Sequence, residues 1–137
     1  TPSDEEDIPI VDTIKKEIEE SGDEKRMEID VLFDLNSSEI KSEYDSEFDK
    51  IKTFIEDKSQ FVIILRGYTC SIGGLENNLK LSKERVDRVK EILIKKLGVD
   101  ESFIETYFYG EKDAPFDNTS EEQRRKNRLV KIQLLGK

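Results

Sequence analysis

Ile10, Ile14 and Ile18 recur at four-residue steps through "IVDTIKKEIEE", directly after Pro9, and Ser21-Gly22-Asp23 ends the run. That spacing predicts a short amphipathic helix, with proline well suited to its first turn. So short a helix is marginal without packing, and a lightly ordered extension is the competing reading. Next, "MEIDVLFDL" (residues 27–35) alternates Ile29, Val31, Phe33 and Leu35 with Glu28, Asp30 and Asp34. A period of two predicts a strand with one buried face. Cap-type residues in "NSSEIKSE" then precede Tyr44, Phe48, Ile51 and Phe54 or Ile55, whose steps of three and four predict a second amphipathic helix.

"QFVIILRGY" breaks the alternation, being apolar on both faces, and this suits a central strand covered on both sides or a parallel neighbour in the sheet. After the "TCSIGG" loop, Val86, Val89, Leu93 and Leu97 stripe a helix expected to begin near Asn77 or Asn78 and to stop at Gly98. "SFIETYFYG" is the third predicted strand. "DAPFDNTSEEQ" is a loop ending in a predicted capping box, Thr119 with Glu122, before a short basic helix, and "RLVKIQLL" is the last strand. The order after the N-terminal helix is β-α-β-α-β-(α)-β. It predicts an α+β sandwich, a mixed four-stranded sheet packed against helices, with the last strand joining antiparallel. Residues 1–26 are expected to form an acidic segment carrying the short helix, with "TPSDEED" as its tail, and residues 27–137 the domain proper.

With 137 residues, the chain is long enough for one domain with a real core. Its 32 acids against 23 bases give a formal charge of -9, which repels a phosphate backbone or an anionic membrane surface. Nucleic acid is therefore not expected as a partner. No apolar run approaches the ~20 residues that cross a bilayer, so no membrane insertion is expected of this segment. Thr1 is not a natural start, and any targeting segment is expected upstream of it. Without histidine there is no Ser-His-Asp or Cys-His pair, and no Cys/His cluster for zinc. The abundant acids show no spacing that singles out a catalytic pair. The expectation is a noncatalytic domain without a cofactor.

The only cysteine lies in "RGYTCSIGG" (residues 66–74), at the mouth of the most apolar strand. It cannot form an internal disulfide. Around it, "VLFDLNSSEIKSEY", "GYTCSIGGLENNLKLSKERVDRVKEIL" and "YGEKDAPFDNTSEEQRRKNRLVKI" are similar, in order and spacing, to the OmpA-like C-terminal domain. That domain is shared by outer-membrane proteins, the Pal lipoproteins and the MotB stator proteins, and the resemblance runs from Met27 to Leu135. It implies a module that holds the peptide stem of peptidoglycan and so tethers an envelope protein to the cell wall. It also implies a periplasmic location, within an outer-membrane-associated or membrane-anchored protein.

In the domain this chain resembles, the stem's diamino acid, usually diaminopimelate, sits between the loop after the second strand and the following helix. An aspartate there receives its ammonium, and an arginine in the helix takes its carboxylate. Such a division suits a zwitterion, because a guanidinium matches a carboxylate bidentately. Carried over, the arginine is Arg85 in "LSKERV", the asparagine before it Asn78, and the loop threonine Thr69. Arg128 in "NRLV" matches the first arginine of a paired motif, and Phe33 and Asp34, beside Asn36 and Ser37, match the pocket wall. The aspartate falls on Cys70. Val86 and Leu129 are milder departures.

Each residue also has a plainer reading. Arg85 and Arg128 suit solvated helix faces, Asn78 a cap, and Asp34 an exposed strand position. Tyr107, Phe108 and Tyr109 suit core packing with one exposed ring. Three readings of Cys70 stay open: an apolar filler in a pocket that has lost its anion, a thiolate standing in for the carboxylate, or a thiol that pairs with another chain. Keeping the arginine without the acid leaves a net cation, which favours a carboxylate-bearing stem over a purely cationic one. Reduced or altered peptidoglycan binding is expected, unless another acid such as Glu76 or Asp87 fills the role. The competing function is a protein-interaction or structural module that keeps the fold, has abandoned the ligand and meets an envelope protein partner.

Overall fold

Val62, Ile63, Ile64 and Leu65 are all buried, so consecutive side chains of β2 (Phe61–Gly67) meet cover on both faces of the sheet. The computed structural model describes residues 10–112 and 114–137; the acidic tail and Pro9 lie outside the described residues. The other elements are α1 (Ile10–Ser21), β1 (Lys25–Leu32), α2 (Asp45–Glu56), α3 (Leu75–Lys95), β3 (Ile104–Phe108), α4 (Glu121–Asn127) and β4 (Leu129–Gly136). The strands lie in the order β1-β4-β2-β3. β4 is antiparallel to β1 and β2, and β2 is parallel to β3. The predicted mixed α+β sheet is what forms.

Ile63 and Leu65 point into the larger core, with Phe48 and Ile51 from α2, Val86, Val89 and Leu93 from α3, and Val130, Ile132 and Leu134 from β4. Val62 and Ile64 point the other way and meet α1 through Val11, Ile14 and Ile18. The stripe on α1 therefore starts at Val11, and Ile10 is 46% exposed. Among the described residues, no helix is long and apolar enough to cross a membrane.

Several boundaries differ from the sequence reading, each for a local reason. β1 ends at Leu32, although Phe33 still exchanges bonds with Arg128, its N–H donating to the Arg128 carbonyl at 2.7 Å. A turn follows, closed by Ser37 N–H on the Asp34 carbonyl at 3.1 Å and carried by Asn36 at φ 58°, and it throws Leu35 into solvent. α3 starts at Leu75, earlier than Asn77, and Asn78 does not cap it. It ends at Lys95, before the left-handed Gly98 (φ 72°). The α4 cap is Ser120, whose Oγ accepts from Gln123 N–H at 3.2 Å, in place of the Thr119–Glu122 box. On the edge strand β3 both Tyr107 and Phe108 are exposed, not one ring.

Candidate functional site

Gly67, the last residue of β2, has no room for a side chain: a Cβ there meets Val86 Cγ2 at 2.5 Å and the Ser82 carbonyl at 2.7 Å. α3 thus rests directly on the strand end. Ser82, fully buried, completes the junction by accepting from Gly110 N–H at 2.9 Å and donating to the Leu79 carbonyl at 2.8 Å. Gly110 is left-handed (φ 64°) and pressed against the Leu79 backbone. Close approach here carries the side chain of Arg85, one turn along α3, into the interior.

Arg85 is fully buried and binds main chain from two loops. Its Nε donates to the Ser37 carbonyl at 2.8 Å, Nη2 to Asp34 at 3.0 Å and Nη1 to Tyr68 at 3.0 Å. The guanidinium also lies over the Phe33 ring, 5.1 Å from its centroid. Three of its five N–H bonds are used in this way. No carboxylate among the described residues is ion-paired with it. Burial pulls its pKa down to about 10, Cys70 opposes that shift, and the positive charge of Arg128 adds to it.

The other predicted residues gather at the same end of the sheet. Cys70 and Thr69 are buried; Thr69 N–H donates to the Gly110 carbonyl at 2.7 Å, while its Oγ1 has no hydrogen-bond partner among the described residues. Buried Asn78 donates through Nδ2 to the Cys70 carbonyl at 3.3 Å and to Glu111 Oε1 at 3.4 Å. Arg128 donates through Nε to the Phe33 carbonyl at 3.1 Å and through Nη1 to Glu121 at 3.3 Å. That contact, ahead of the bond from Arg124, holds the Glu121 carboxyl below its usual range. Asp34 meets Arg85 by its backbone only; its exposed carboxylate pairs with Lys41 at 2.8 Å, which lowers its pKa. Of the acids considered as replacements, Asp87 pairs with Lys83 at 2.8 Å and Glu76 is exposed in the first turn of α3.

Sequence reasoning missed the asparagine clamp behind this loop. Asn127, fully buried, accepts from Phe116 N–H at 2.9 Å and donates to Asn118 Oδ1 at 3.0 Å, and Asn118 Oδ1 also accepts from Ser71 N–H at 3.3 Å. Its sequence signal is the asparagine beside Arg128 in "KNRLV". Beside these buried residues, a groove of about 380 Å³ is lined by Asn36, Gly73, Asn77, Asn78, Lys80, Leu81 and Glu84. Among the described residues no group of three or more His, Cys, Asp or Glu is placed to hold a metal ion. The site has the parts of a ligand-holding surface: buried cations, carboxamides and a glycine-bearing loop.

The sheet order and the converging loops define the class, a mixed-sheet α+β domain with its site at one end of the strands. The chain belongs to the OmpA family, whose model matches residues 32–128. Outer membrane porin F of Pseudomonas fluorescens is 37% identical over 105 residues, covering 77% of this chain and 32% of that protein. The chain spans about a third of the length of the first curated relatives it matches. Among solved structures, the peptidoglycan-associated lipoprotein from Burkholderia pseudomallei superposes with a TM-score of 0.71 at 24% identity, over 77% of this chain and 88% of that one. The C-terminal domain of Helicobacter pylori MotB gives 0.69 at 25% identity, over 77% and 83%.

Proposed function

We propose that this domain tethers its parent protein to peptidoglycan, without catalysis, by holding the peptide stem where Phe33, Asp34, Thr69, Cys70, Asn78, Arg85 and Arg128 converge. It does so in the periplasm, as part of an envelope protein. The observation that carries the reading is the buried charge of Arg85, which has no carboxylate partner among the described residues. A buried cation is costly until an anion meets it, and a stem carboxylate is such an anion once the loops that cover Arg85 part to admit it to the two unused N–H bonds. The name of the Burkholderia relative in structure, a peptidoglycan-associated lipoprotein, points the same way. With a thiol where related domains carry an acid, the ammonium of the stem lacks its partner, and binding is weaker than in a domain with aspartate.

Co-sedimentation with purified sacculi tests this. The unmodified protein is expected to be partly depleted from the supernatant, and Cys70→Asp to tighten binding about ten- to a hundredfold. A second reading, an interaction module without a stem ligand, is favoured by the fact that Arg85 has no exposed surface and holds its own loops. It predicts no depletion for either protein and a dimer or larger species in sizing.

A further inference from the structure

The sheet ends in two edges, β1 and β3, of different character. β1 alternates Arg26, Glu28 and Asp30 along one face, Asp30 pairs with Lys131 at 3.4 Å, and the Tyr44 hydroxyl takes the Leu32 N–H at 3.0 Å. Charges and side-chain caps of this kind blunt an edge against further pairing. β3 has little of either. Of its five residues only Glu105 is charged, and Tyr107 and Phe108 are exposed. Tyr109 N–H donates to the Gly67 carbonyl at 2.9 Å, so by strand alternation Glu105 and Tyr107 also turn their main-chain groups toward β2. Those of Thr106 and Phe108 therefore face outward, and no loop or side chain among the described residues takes them. The Ile104 N–H is taken up by the Glu101 carbonyl, which leaves the Ile104 carbonyl open.

We propose that β3 pairs antiparallel with β3 of a second copy of this chain, about a two-fold axis through Thr106, so that the two sheets become one. The strand is self-complementary in that register, as an isologous contact requires. Thr106 meets Thr106 of the second copy and the two exchange both main-chain bonds, while each Phe108 N–H reaches the open Ile104 carbonyl across the axis. On the α3 side Phe108 then lies beside Ile104 and threonine beside threonine, both favourable cross-strand combinations. On the other face Glu105 stands opposite Tyr107. Within one copy the Tyr107 hydroxyl already donates to Glu105, and Arg66 lies over the Tyr107 ring at 5.4 Å from its centroid. Each carboxylate thus meets a phenol across the axis, with a guanidinium close by, whereas an axis through Glu105 would set two carboxylates face to face. A single five-residue strand buries little area, so the dimer is weak, with a Kd of about 0.01–1 mM. The inference is independent of the stem-binding reading and rests on β3 alone.

Sedimentation equilibrium of the intact protein, from about 10 μM to about 2 mM, tests this. A reversible monomer–dimer equilibrium is expected. Thr106→Lys and Thr106→Glu each set like charges opposite one another and are expected to raise Kd about tenfold, while Lys25→Glu, on the far edge, leaves it unchanged. Because Thr106 meets its own copy, an equimolar mixture of the Thr106→Lys and Thr106→Glu proteins is expected to associate at least as tightly as the unmodified chain. That arm compares two variants with each other, so a loss of stability common to both does not obscure it. Amide hydrogen exchange gives the register: Thr106 and Phe108 are expected to slow as concentration rises, and Glu105 and Tyr107, already bonded to β2, to stay constant. A monomer at every concentration overturns the proposal. So does association that ignores Thr106→Lys, a mixture no tighter than either variant alone, or slowing confined to another surface.

Discussion

At the scale of single residues, Arg85 behaves as a latch between two loops. Its planar fork donates to three carbonyls, two in the turn at Asp34–Ser37 and one just past the end of β2. Arg85→Ala removes all three bonds and is expected to cost about 3–5 kcal/mol in urea unfolding. Arg85→Lys, a point donor in place of a fork, should recover only part of that. The carboxylates around the latch give a pH signature. Glu121 beside Arg128, and Asp34 beside Lys41, have folded pKa values below their ordinary ones. Their contribution to stability is complete above the unfolded carboxylate range near pH 4 and is lost as pH falls through the lower folded values. An NMR titration should place the Glu121 midpoint below that of a free glutamate, and Arg128→Met should return it upward. A midpoint unmoved by that variant would contradict the assignment.

At the scale of elements, the junction of β2 and α3 sets how close the loops come to one another. Gly67→Ala forces a Cβ against Val86 and the Ser82 carbonyl, so α3 must move off the strand. The expected cost is about 1–3 kcal/mol, read as a lower melting temperature, with Gly74→Ala, which meets nothing within 4 Å, as the neutral control. Elements of this kind were legible in the chain because burial imposes a period: β2 was apolar on both faces and became the doubly covered strand, and the α3 stripe of Val86, Val89 and Leu93 is the buried one. Legibility failed where hydrogen bonds chose between near-equivalent residues. Thr119 and Ser120 both suit a cap, and only the path of the preceding loop selects Ser120. Likewise, the site positions came from motif spacing, but spacing says nothing of depth: Arg85 reads as a surface cation and lies inside. Tyr107 and Phe108 read as core packing with one exposed ring, and on the edge strand β3 both are exposed, one on each face.

For the whole molecule, the decisive arrangement is the second layer. The OmpA family model matches residues 32–128, so α1 lies outside the matched region, yet it covers Val62, Ile64 and Leu135 on the far face of the sheet. A sheet with apolar side chains on both faces needs cover on both, since a bare patch recruits another copy or aggregates. Ile18 is the anchor of that cover, with no exposed surface, whereas Ile10 is 46% exposed one helical face away. Ile18→Ala is therefore expected to cost about 2–5 kcal/mol, and Ile10→Ala to stay within about 0.5 kcal/mol. If α1 were a loosely attached extension, the two substitutions would be equally mild. Deleting residues 1–22 carries the comparison further. The shortened chain should bind a hydrophobic dye and run as an oligomer in sizing. A stable, dye-negative monomer would show that α1 is dispensable and that the two-sided apolar strand tolerates water on one face.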